Sequence, residues 1–310
     1  MPFRSVLALL LHCAACAPDA PAPVAQADPD PPPGLAVPAD TFGAYWYQGQ
    51  AELTSYTLEQ ARYGALRPGD AVLVFVTEPF SRTKHVKVDD HVAAGDDAVT
   101  VLKLNATRNF ITGVYPYSTM TSVFTPVDAA PALKVTTSVQ EWCGQVYTQL
   151  NRAPDGYRLR AYSYFEREGD QERSIAGARL EDDLWTLVRL NPDALPTGSL
   201  RLVPGTLFLR LKHVPFEAQD ATATLTADSA DAALRVYTVT YPALRRTLAI
   251  RFRAAFPFEI EGWEETYPDG RGGEPLTTRA TRRERIQLAY WQHNGPDDTA
   301  YRTALGLPAR

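Results

Sequence analysis

Cys143, in the run Gln140-Glu141-Trp142-Cys143-Gly144-Gln145, is the most singular position of the chain for covalent chemistry. A thiol nucleophile needs a base beside it and a lowered pKa. The neighbouring sequence signals neither, so Cys143 reads as a cysteine buried in a strand, with Gly144 marking a bulge or a place where another group closes on the backbone. Glu259 and Glu261 flank Ile260. On a strand their carboxylates share one face, about 6.5 to 7 Å apart along the chain, which is close to the separation at which an acid and a base work on a glycosidic bond. Glu264 and Glu265 follow at once, and Arg251 and Arg253 precede them, so a solvent-facing ladder of opposite charges is the favoured reading.

Other patterns are weaker. Ser81-Arg82-Thr83-Lys84 fits the Ser-x-x-Lys pattern of penicillin-binding enzymes, but it follows a strand instead of opening a helix and is read as coincidence. The acidic stretch from Asp89 to Asp97 offers oxygen donors, yet it lacks the ligand spacing and central glycine of a calcium loop. It reads as a solvated turn, and His85 and His91 as surface histidines. No phosphate-cradling glycine loop, Gly-x-Ser-x-Gly elbow or His-Glu-x-x-His helix occurs, so no metal and no cofactor is implied. Aromatic residues are dense, and Trp142, Tyr162, Tyr164, Trp263 and Trp291 form the candidate ligand-binding set. Such side chains line the cavities of barrels as well as filling cores.

The elements that must carry these residues are mostly strands. Ala71–Val76 is a β-branched run, and Arg67-Pro68-Gly69-Asp70 reads as the turn joining it to a preceding strand. The pattern recurs over 139–150 and 157–166, with a turn between them, and over 233–241, 247–256 and 258–267. Leu248, Ile250, Phe252 and Ala254 alternate with Ala249, Arg251 and Arg253, which gives that strand one dry and one wet face. Two segments have helical spacing. Leu180, Leu184, Leu187 and Val188 follow one stripe, with acids in the first turn and Arg189 near the end; residues 297–305 read as a short C-terminal helix. The expected fold is mainly β, an antiparallel curved sheet or open barrel, with the mid-chain helix over part of its concave face.

The first sixteen residues carry one cation, Arg4, a short apolar run and small residues before Cys16. That is the layout of an export signal, too short to span a bilayer. The sequence before Cys16 resembles the lipobox of bacterial lipoproteins, in which the cysteine is acylated and becomes the mature N-terminus. Residues 17–42, rich in Pro, Ala and Asp, read as a tether, and residues 43–310 as a single β-rich domain. The 310 residues carry 31 Lys and Arg against 36 Asp and Glu, a net charge of −5. No overall field draws in nucleic acid, which is excluded as a partner.

The segments Trp46–Glu52, Leu58–Gly64, Tyr115–Ser118, Gln140–Gly144 and Glu261–Glu265 together resemble a family of bacterial lipoproteins often labelled "septum formation inhibitor Maf". Genuine Maf proteins are cytoplasmic α/β nucleotide pyrophosphatases, and neither their parallel-sheet pattern nor their Ser/Arg-rich phosphate loop is found here. The resemblance therefore implies an envelope location and brings no catalytic residues; Ala17 rather than Asp after the cysteine resembles the sorting pattern for the outer membrane. A looser likeness, of architecture alone, is to curved-sheet carriers of lipid or lipoprotein chains. The expected function is a membrane-anchored β domain that binds an apolar or amphipathic ligand, or an envelope protein, in the hollow of its sheet. The alternatives are a glycan-directed hydrolase using Glu259 and Glu261, and a purely structural envelope component.

Overall fold

A computed structural model describes residues 34–128, 131–269 and 273–308. The signal segment, Cys16 and most of the tether lie outside the described residues. The chain folds into the strands β1 (Ala51–Arg62), β2 (Ala65–Ser81), β3 (Ala98–Thr112), β4 (Tyr115–Pro126), β5 (Lys134–Glu141), β6 (Gly144–Ala153), β7 (Gly156–Ser163), β8 (Gln171–Ala176), β9 (Arg179–Leu180), β10 (Gly198–Val203), β11 (Gln219–Ala227), β12 (Leu234–Tyr241), β13 (Arg246–Arg253), β14 (Ile260–Pro268) and β15 (Pro275–Leu288). Its helices are α1 (Ala39–Trp46), α2 (His91–Ala94), α3 (Glu181–Leu190), α4 (Thr206–Lys212) and α5 (Thr299–Ala304).

All fifteen strands belong to one sheet, in the order β8-β7-β6-β5-β4-β3-β2-β1-β15-β14-β13-β12-β11-β10-β9. From β1 to β8 and from β10 to β15 chain neighbours pair antiparallel, β15 pairs with β1, and the short β9 to β10 pair at one edge is parallel. The sheet is open, since β8 and β9 are its two edges. Its curvature follows from what α3 touches. Thr125 of β4 donates to Asp183, while Tyr241 of β12 donates to Glu181, two residues away on the same helix. Those strands stand seven places apart, about 34 Å in a flat sheet, and a helix of ten residues is only about 15 Å long. The sheet must bend around the helix to make both contacts.

The main core lies inside this bend, where Phe42 and Trp46 of α1, Leu184, Leu187 and Val188 of α3, and Phe208 and Leu209 of α4 meet the strands. A smaller cluster on the opposite face seats Leu305 and Leu307 against Leu53 and Val76.

Four expectations change in detail. Two mid-chain helices, α3 and α4, occupy the bend where one was expected, and all ten residues of α3 are buried, its charged ones included. Residues 34–42, read as tether, pack on the domain: the Ala36 amide donates to Leu190, and α1 buries Phe42 and Trp46. The first hairpin turns at Tyr63-Gly64 instead of 67–70. Both residues have positive φ, 55° and 73°, as a two-residue hairpin turn of the primed kind requires. The tyrosine is held there by tertiary contacts, because Arg62 and Tyr117 bond its hydroxyl and Asp269 accepts from the Gly64 amide. Pro68 and Gly69 then lie within β2. Pro68 sits just before the register with β3 begins at Gly69, so its missing N–H is not needed there. A Cβ on Gly69 would stand 2.2 Å from the Asn109 carbonyl oxygen. Finally, the 139–150 segment is two strands joined by a tight turn at Trp142-Cys143.

Candidate functional site

An open groove of about 910 Å³ lies on the face of β2 to β7 turned away from α3 and α4. Its floor is built by strand alternation, since residues two apart share a face, and by the register of five consecutive antiparallel pairs. One row of directly opposed residues runs Asp70, Asn109, Ser118, Gln140, Gln145. The next row runs Val72, Thr107, Met120, Ser138, Tyr147, Tyr162. The floor therefore has a polar track of three amides, the Ser118 hydroxyl and the Asp70 carboxylate beside a track with Val72 and Met120 in its length and two tyrosines at its end. From β2 to β7 the second track spans about 24 Å at the usual strand spacing. Arg302 and Leu307 from the C-terminal segment, and Tyr164 and Asp170 from the β7–β8 connection, complete the lining.

The tyrosines are available to a ligand. Tyr162 is 49% exposed and Tyr164 65%, and the Tyr147 hydroxyl donates to Gln149 beside it. Tyr164 stands directly over Gly144, where a Cβ would come within 2.6 Å of its ring. The close approach expected at Gly144 is this ring.

The hollow of the sheet offers no comparable room. The helices fill it and leave about 40 Å³, lined by Trp185, Trp263, Arg108, Glu181, Asp182 and Glu265 among others. That is space for a water molecule or two, and its largely apolar lining carries four charged side chains, Arg108, Glu181, Asp182 and Glu265. The helices bring buried charge to this side of the sheet: α3 opens with three buried acids, Glu181, Asp182 and Asp183. Glu181 receives both terminal nitrogens of Arg246 at 2.5 and 2.7 Å, and the same guanidinium donates to Glu265 at 2.8 Å. Asp182 accepts from the Thr206 amide at 2.9 Å; burial above all pushes its carboxyl up to about 7, with the Glu181 charge adding to the effect. At the other end of α3, Arg189 makes a two-pronged pair with Glu52 at 2.7 and 2.8 Å. Burial pushes the Glu52 carboxyl up, but Arg189, the Tyr45 hydroxyl and Arg285 outweigh it and hold it below the ordinary carboxylate range.

The remaining candidates are scattered. Trp263 is buried, packed edge-on against Trp185 at 5.3 Å with Arg108 over its ring; it belongs to the core side of the sheet. Trp142 is 69% exposed at the β5–β6 turn and stacks on Tyr115 at 6.2 Å. Trp291 lies beside Tyr290 after β15. Of the five aromatic candidates, then, only Tyr162 and Tyr164 line the groove.

Cys143 is exposed in the β5–β6 turn and not buried in a strand. The turn leaves its side chain outside, and its amide donates to Glu141 at 2.6 Å. The thiol's own hydrogen bond to Glu141 pushes its pKa up, which works against a thiolate nucleophile. Glu259 and Glu261 do form a charge cluster, with a partner set wider than expected. Arg253 and Arg282 each contact both carboxylates, Arg285 reaches Glu259 at 2.8 Å, and Arg251 turns instead to Asp228. Both glutamates are largely shielded from solvent by these guanidinium groups. In the acidic stretch, Asp90 caps α2 through the amides of Val92 and Ala93, and Asp97 accepts from Ser81 and the Thr83 amide. Among the described residues no group of three or more His, Cys, Asp or Glu could hold a metal ion.

Sequence reasoning missed Met120, Gln140, Gln145 and Tyr147 of the groove. A usable signal existed in β6, where Gln145, Tyr147 and Gln149 alternate with Val146, Thr148 and Leu150.

The chain matches no family model and no curated protein sequence. Among solved structures it is similar to a beta-barrel-like protein of a domain of unknown function, DUF1849, from Brucella abortus. The identity is 8%, the TM-score 0.43, and the match covers 77% of this chain and 98% of that one. No residue role is carried over from it.

Proposed function

We propose that this protein is a non-catalytic binding protein of the cell envelope, moored through an acylated Cys16, that holds an amphipathic ligand in the groove across β2 to β7. The observation that carries this reading is the pair of in-register tracks, one polar and rich in side-chain amides and one ending in Tyr147 and Tyr162. Binding sites combine apolar and aromatic area with a few convergent polar groups, and the groove supplies both on rigid strands. The bend of the sheet is filled by helices, so the outer face is where the open volume lies. The anchor rests on the small residues before Cys16 and on the tether behind it.

Catalysis by Glu259 and Glu261 is the weaker reading. Each carboxylate is already engaged by two or more guanidinium groups, which occupy the oxygens that a substrate would need.

Two measurements test the proposal. Mass spectrometry of the mature protein is expected to find a diacylated N-terminal Cys16, and Cys16→Ser is expected to release the protein from membranes; an unmodified N-terminus further along the chain contradicts the anchor. Native mass spectrometry of protein taken from envelope extract is expected to show a bound molecule that Tyr147→Ala/Tyr162→Ala loses while its thermal unfolding is unchanged. Retention of that molecule by the double variant contradicts the groove.

A further inference from the structure

Taking the groove to be the binding site, as proposed above, we infer that its ligand is an uncharged oligosaccharide lying across the strands. The chemistry of the two tracks selects it. Asn109, Gln140 and Gln145 point into the groove, and none of their side-chain amides has a hydrogen-bond partner among the described residues. Each amide offers two donors and an acceptor. A sugar hydroxyl both donates and accepts, so it satisfies such amides in either orientation. A pyranose ring also has an apolar C–H face, which suits the flat ring of a tyrosine; Tyr147 and Tyr162 stand directly opposite one another on β6 and β7, with Gln145 two residues from Tyr147 on β6 and Gln140 on the neighbouring β5.

Other ligand classes fit less well. The charged residues lining the groove are Asp70, Asp170 and Arg302, an excess of acid that does not favour a phosphate or carboxylate ligand. An acyl chain needs an enclosed apolar surface, and here one whole track is polar and open. A peptide bound as an added strand uses free backbone groups at a sheet edge. The floor is made of strand faces, and β3 to β6 are already paired on both sides. The length of the floor, about 24 Å, also favours a chain of several sugars over one or two.

The test is isothermal titration of the full chain with neutral hexasaccharides of glucose, galactose and N-acetylglucosamine, with their disaccharides, and with laurate. At least one hexasaccharide is expected to bind about tenfold tighter than its disaccharide. Tyr147→Ala and Gln140→Ala are each expected to weaken it by about tenfold, with thermal unfolding unchanged. Binding of laurate but of no hexasaccharide, sensitive to the same substitutions, overturns the glycan and leaves the groove standing. Binding of either probe that these substitutions do not alter overturns the groove itself, and absence of binding by every probe overturns the glycan.

Discussion

Glu52 and Arg189 meet at the foot of α3 with about 1% of either side chain exposed, and neither was legible as a pair, because 137 residues separate them and each alone looks like an ordinary surface residue. A buried pair of this kind adds little net stability over an apolar replacement, yet removing one partner strands the other charge. Glu52→Gln is therefore expected to cost about 3–5 kcal/mol, read from urea unfolding, and a loss below about 1 kcal/mol would show that water reaches Arg189. Asp182 carries a different prediction. Its carboxyl is raised from 3.8 to about 7 by burial, so between those values the folded state holds a proton that the unfolded state has released. Its contribution is present in acid and is lost as pH rises through that window, at about 1.4 kcal/mol per pH unit at most. Asp182→Asn keeps an acceptor for the Thr206 amide and is expected to flatten that decline; an unchanged slope would mean that Asp182 is ionised in the fold. Glu52 and Glu265 act in the opposite direction. Paired arginines hold both below the ordinary range against the effect of burial, so their stabilisation is present above that range and lost as pH falls through their lowered values.

The strands were legible wherever one face is dry. β13 alternates as expected, with Leu248, Ile250 and Phe252 buried, and β12 and β14 begin and end close to the boundaries read from the sequence. The turns were less so. The Arg67-Pro68-Gly69-Asp70 run has turn chemistry, but β2 passes straight through it, and the chain reverses at Tyr63-Gly64, where a tyrosine accepts positive φ because Arg62 and Tyr117 fix its hydroxyl. Local propensity cannot report a tertiary lock. Gly69 is needed for a different reason, the approach of the β3 backbone at Asn109. Gly69→Ala is expected to cost about 1–3 kcal/mol through that clash, measured by thermal unfolding, whereas a change within about 0.5 kcal/mol would show that β3 can move aside. The helices divide similarly. α3 was visible from its leucine spacing, but its complete burial was not, because Glu181, Asp182, Asp183 and Arg189 read as charges suited to the helix dipole, and their partners Arg246, Thr206, Thr125 and Glu52 lie far away in the chain.

At the scale of the molecule, a fifteen-strand sheet wraps its inner face around helices and leaves part of its outer face free. That division moves the candidate site from the hollow, where the sequence placed it, to the groove, and it explains why Trp263 is structural while Tyr162 is available. Individual strand patterns reveal that a face is exposed; they do not reveal that five neighbouring pairs align their exposed residues into two tracks, which depends on register. Tyrosine nitration with and without envelope polysaccharide extract, read by peptide mass spectrometry, tests this most directly. The exposed tyrosines Tyr47 and Tyr63 lie outside the groove lining and serve as internal controls. The account predicts protection of Tyr147, Tyr162 and Tyr164 with Tyr47 and Tyr63 unchanged, and equal modification of all five with and without the extract would contradict it.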